Sequence, residues 1–148
     1  FLLCVSTLWA CNNAESNKKE EATTFEDHAS PHEEARATLI LNNGAKWKSD
    51  ESTNSNVAQL KAVTSRFHEN KNKSLADYIT AGNELQTGVD KMIKECRMQG
   101  ADHDALHLWL EPLMKNVAAL KKAASEQEAS QALAGITARL DMYTQYFE

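Results

Sequence analysis

Between positions 53 and 147 the apolar residues return at steps of three and four, the spacing that lines them along one face of a helix. Little in the region interrupts that rhythm. The whole chain of 148 residues contains five glycines and two prolines, too few for the many turns of a β-rich protein. An all-α fold is expected, in one domain large enough to bury its own core without a disulfide framework.

The periodic region divides into four segments. The first is expected to start at Ser52 or Thr53, both good N-cap types, and to run through Val57, Leu60, Thr64 and Phe67 to a stop at 68–70. Ser74 can cap a second helix with Leu75, Tyr78, Ile79, Gly82, Leu85, Val89, Met92, Ile93 and Cys96 inward, and Gly100 can supply its left-handed C-terminal cap. Asp102 is then the expected cap of a third helix carrying His103, Leu106, His107, Leu110, Leu113, Met114, Val117 and Leu120, with Pro112 expected to kink it or open a hydrogen bond. The fourth starts at Ser125 or Gln127 and shows Ala129, Leu133, Ile136, Leu140, Tyr143 and Phe147 in a heptad-like stripe. Short connections between helices of this length predict antiparallel neighbours, hence an up-down-up-down four-helix bundle over 35–148. Ahead of the bundle, 33–41 is expected to be a short helix ended by Asn42-Asn43-Gly44, with a hairpin over 38–48 as the alternative.

Residues 1–10 form an apolar run too short to span a bilayer, ending in Ala10 directly before Cys11. Leu8-Trp9-Ala10-Cys11 resembles the lipobox of bacterial lipoproteins. That resemblance implies a cleaved export signal over 1–10, a lipid anchor on Cys11 and a periplasmic or cell-envelope location at a membrane surface. Residues 11–34 are polar, charged and poor in large apolar side chains, as a flexible tether would be. Net charge is −5, from 16 basic against 21 acidic residues, with no basic run longer than a pair, so nucleic acid is not an expected partner.

With Cys4 removed with the signal and Cys11 anchored, Cys96 is left as the free thiol of the domain. It opens the densest group of metal-competent side chains: Cys96, Met98, His103 and His107, across the expected turn between helices two and three. His103 and His107 are one helical turn apart on one face, and their rings are expected to enter the same end of the core as Cys96. Thiolate and thioether beside two imidazoles favour copper, since structural zinc rarely accepts methionine and hard ions want oxygen. The ligand set resembles that of the cupredoxins, the blue-copper proteins, whose β-sandwich this chain does not share. A mononuclear copper site for electron transfer or copper handling, with a redox or copper-exchanging protein as partner, is the expectation. Zinc at the same residues, or a metal-free structural or binding lipoprotein, are its alternatives. Trp47 is expected as a lid, and Asp102 or Asp104 as an acceptor orienting an imidazole.

Two further patterns bear on function. His103-Asp-Ala-Leu-His107 resembles the zinc-protease H-E-x-x-H, with an acid one methylene shorter in the place of the general base. The segment 139–147 resembles the closing helix of the periplasmic four-helix cytochromes but lacks their haem-ligand histidine, and the chain has no C-x-x-C-H, so haem is not expected. No nucleophile triad or phosphate loop stands out, and an enzyme is not the expected class.

Overall fold

The computed structural model describes residues 38–71 and 73–148. The expected signal, the tether and the start of the expected short helix lie outside these. Four helices follow in order: α1 (Glu51–Glu69), α2 (Leu75–Glu95), α3 (Gly100–Lys122) and α4 (Glu126–Tyr146). Each packs on the next, and α1 closes back on α4, giving the four-helix bundle; α2 and α4 also meet across its middle. Among the described residues no helix is long and apolar enough to cross a membrane.

Helix starts follow from side-chain acceptors for the free backbone amides of the first turn. Ser74 and Asp77 form a complete capping box on α2, and the Ser125 side chain accepts from the Glu128 amide on α4. The cap of α1 is Asp50, not Ser52 or Thr53: its carboxylate takes the Thr53 amide at 2.6 Å. A carboxylate can accept that amide and others besides, which a hydroxyl two residues on cannot do for the same turn. Gly100 does not cap α2. That helix ends at Glu95 with Cys96 as its cap residue, and Gly100, at φ +62, opens α3 after the extended cap residue Gln99. Asp102 is therefore inside the first turn of α3 and not its cap. Helix α3 runs unbroken through Pro112, which can only remove the amide owed to the Leu108 carbonyl.

The segment ahead of α1 also departs from the expected short helix. Asn43 and Gly44 both take positive φ, 52 and 90, and Asn42 and Ala45 exchange backbone hydrogen bonds across them at 2.9 and 3.0 Å. Two successive positive φ values are the geometry of a tight hairpin turn, and Asn-Gly is the pair that adopts it most cheaply. Beyond the turn the chain does not ladder back on itself. Trp47 pairs in parallel with Phe147, giving its amide to the Tyr146 carbonyl and receiving that of Glu148.

The core is built from the expected stripes, with Leu60, Leu85, Val89, Met92, Leu113, Leu120, Ile136 and Leu140 essentially removed from solvent. At its centre stands Trp109, fully buried, its indole donating to the Arg139 carbonyl at 2.8 Å and its ring edge-on to Tyr143. Ile93 and Met114, expected inward, are 49% and 39% exposed. Met92 and Leu113 occupy the inward positions, and the next residue round the helix is carried about 100° away. Leu85→Ala should therefore cost about 2–5 kcal/mol in urea-unfolding free energy, whereas Ile93→Ala should stay within about 0.5 kcal/mol of the parent.

Candidate metal site

Residues 47–52 act as a strap across one end of the bundle. On one side it is stitched to the end of α4, where the Ser49 amide donates to the Glu148 carbonyl at 2.9 Å. On the other side it grips the connection between α2 and α3. The Lys48 amide donates to Asp102 Oδ1 at 2.9 Å, Asp50 Oδ2 accepts the Arg97 amide at 2.6 Å, and the Ser52 hydroxyl donates to the Glu95 carbonyl at 3.0 Å. Below it, the end of α2 is tied to α1 by Asn56, only 1% exposed, which donates to Glu95 Oε2 and accepts from Lys91 Nζ. The bond from Asn56, then that from Lys91, holds the Glu95 carboxyl below its ordinary pKa.

The connection held in this way carries Cys96 and Met98. Together with His103 and His107 they line one pocket of about 320 Å³ between α2 and α3, whose remaining wall is Met92, Ile93, Leu106 and Leu110. All four side chains expected to meet thus face one cavity. Their depth differs from expectation. Cys96, Met98 and His103 are half-buried and His107 is exposed, so the imidazoles form the outer wall of the pocket and do not enter the core. The inward face of α3 is set by Leu106, Trp109, Leu110, Leu113 and Val117, and at about 100° per residue positions 103 and 107 fall on the flank of that face. The two rings meet edge to face, with centroids 4.6 Å apart. Among the described residues no three His, Cys, Asp or Glu side chains stand close enough together to hold a metal ion as they lie.

The residues expected to support the site fall elsewhere. Trp47 is half-buried against the bundle end, its indole donating to the Ile40 carbonyl at 2.7 Å, and it does not line the pocket. Asp102 is engaged by the strap, and Asp104 is exposed on α3. Behind Met98 stands Ser49 of the strap, which does not itself line the pocket. Ser49 Oγ lies 3.8 Å from Met98 Sδ and 2.6 Å from the hydroxyl of Tyr143, which in turn lies 2.9 Å from Asn54 Oδ1. Burial, in the first place, pushes the Tyr143 phenol up to about 12; the bond with Ser49 works against this, and the nearby charges of Asp50 and Cys96 add to it. Tyr143 accordingly keeps its proton throughout the neutral range. Nothing in the sequence pointed to Ser49, because a contact across 49 residues leaves no periodic trace. Asp50 had a weak signal, as an acid directly before a helix-like run.

No family model, no curated protein and no solved structure matches the chain. The geometry is therefore the basis for function.

Asp50 ties the site to stability. Burial would raise its carboxyl, but the bonds from Thr53, the Arg97 amide and Ser52 outweigh this and bring it from the ordinary 3.8 down to about 2. A depressed carboxyl stabilises the fold above its unfolded pKa and loses that contribution as the pH falls through its folded one. Acid titration followed by helical circular dichroism should show stability lost between pH 3.8 and about 2. Asp50→Asn should be less stable than the parent at neutral pH and lack that component of the acid transition.

Proposed function

We propose that the pocket between α2 and α3 binds one soft metal ion, copper in its Cu(I) state above all, and that the protein handles copper by exchange. The observation carrying this reading is that Cys96, Met98, His103 and His107 line one cavity. Thiolate, thioether and imidazole are the donors that Cu(I) prefers, and no oxygen-rich alternative accompanies them among the lining residues. The half-buried and exposed positions of these ligands favour handling over electron transfer. Electron transfer profits from a closed ligand cage that keeps its shape in both oxidation states. Here the side chains must rotate together around an arriving ion, and a partner can reach them at the pocket mouth. Copper delivery calls for that accessibility.

In the same reading residues 1–10 direct export, Cys11 carries a lipid, and 11–34 hold the bundle off the membrane surface. The lipobox-like order Leu8-Trp9-Ala10-Cys11 supports it. A copper-exchanging protein of the cell envelope is the partner that follows.

The test is a competition titration of the full chain with Cu(I) against a chromophoric chelator. One ion per chain is expected. Cys96→Ser should weaken binding by more than the about 10–100-fold that follows loss of a mere supporting partner, and His107→Ala should weaken it in the same direction. Unchanged affinity in Cys96→Ser, or no Cu(I) uptake by the parent, would sink the reading. Stoichiometric zinc binding without Cu(I) preference would transfer the site to zinc.

A further inference from the structure

Around Met98 the hydrogen bonds outnumber the hydrogens available to make them. Three contacts run in series: Met98 Sδ to Ser49 Oγ at 3.8 Å, Ser49 Oγ to the Tyr143 hydroxyl at 2.6 Å, and that hydroxyl to Asn54 Oδ1 at 2.9 Å. The thioether and the amide oxygen can only accept, so the two hydroxyls supply the two hydrogens. Two oxygens 2.6 Å apart with no hydrogen between them would repel, so one hydrogen must lie on the central contact. Two arrangements remain. In one, Tyr143 donates to Ser49 and Ser49 donates to the Met98 sulfur. In the other, Ser49 donates to Tyr143, Tyr143 donates to Asn54, and the sulfur carries no hydrogen bond. Both contain two bonds, and they interconvert by rotation of two O–H groups with no proton leaving either residue. Because Tyr143 is buried and titrates only near 12, its hydrogen is always present to take part.

We infer that Ser49 and Tyr143 form a two-state hydrogen-bond relay that releases the Met98 thioether to a soft metal ion without loss of a hydrogen bond. The inference rests on the copper reading of the pocket and adds to it the means by which one ligand is freed. It also makes the relay a determinant of metal choice. Cu(I) and Ag(I) take a thioether and gain from its release, whereas zinc rarely binds one and is indifferent to it.

Removing the phenol oxygen should trap the relay. In Tyr143→Phe the Ser49 hydroxyl loses its other acceptor in the series, and the ring that packs against Trp109 and Phe147 is kept. Affinities for Cu(I), Ag(I) and Zn(II) are to be measured by competition titration for the parent, Tyr143→Phe, Ser49→Ala and the double variant. Tyr143→Phe should weaken Cu(I) and Ag(I) about two- to fivefold and leave Zn(II) unchanged, the scale of one modest hydrogen bond to a weak sulfur acceptor. Ser49→Ala alone should stay within about twofold of the parent, and adding it to Tyr143→Phe should restore the parent Cu(I)-to-Zn(II) ratio. A ratio unmoved by Tyr143→Phe, or a shift that Ser49→Ala does not undo, overturns the relay while leaving the copper site standing. Absence of Cu(I) binding in the parent itself overturns both, and marks the failure as that of the site. Thermal unfolding of each variant separates these outcomes from damage to the fold, since destabilisation alone would weaken all three metals alike.

Discussion

The carboxylate of Asp50 is the point on which this end of the molecule turns. One oxygen caps α1 through the Thr53 amide, and the other holds the Arg97 amide in the connection between α2 and α3. Helix initiation and loop placement, separate problems in most bundles, are thereby solved by one side chain. Charge-assisted bonds of this kind are about twice as strong as neutral ones, which is why a short strap can position the loop bearing Cys96 and Met98. The pocket inherits its shape from that grip.

The polar groups buried near it fall into the same economy. Asn56 is almost wholly enclosed, yet both ends of its amide are engaged, by Glu95 and by Lys91. A half-satisfied amide there would cost more than an apolar residue, whereas a satisfied one sets the register of α1 against α2. Trp109 does the same for α3 and α4, since its indole must find the Arg139 carbonyl as its ring fills the centre of the bundle. The pocket thus lies beside fully engaged polar groups, and Cys96, Met98, His103 and His107 line it at half-buried or exposed positions.

How much of this was legible along the chain differs from element to element. The closing helix could be read residue by residue, because Ala129, Leu133, Ile136, Leu140, Tyr143 and Phe147 are all buried as their spacing requires. That Cys96, Met98, His103 and His107 share one pocket was legible, since they lie within twelve residues flanking one turn, but their mutual distances were not. Depth was not legible. Whether a histidine looks inward depends on which apolar neighbours take the centre of the packed face, and His103 and His107 lie on the flank of the face that Leu106, Trp109 and Leu110 fill. Trp109 escaped for a similar reason. It sits beside Leu110, and periodicity cannot say which of two adjacent apolar residues takes the centre when both are buried.

The sequence by itself determined the class of fold, the helical stripes and the residue types that gather around one turn, because these depend on residue type and near-neighbour spacing. Tertiary structure decided that the acid capping α1 also holds the Arg97 amide, that the Asn-Gly turn leads Trp47 to pair with Phe147, and that Ser49 and Tyr143 stand behind Met98. Hydrogen bonds between residues 47 to 100 positions apart carry no pattern in sequence. They exist only once packing of the four apolar faces has brought the strap, the loop and the end of α4 together.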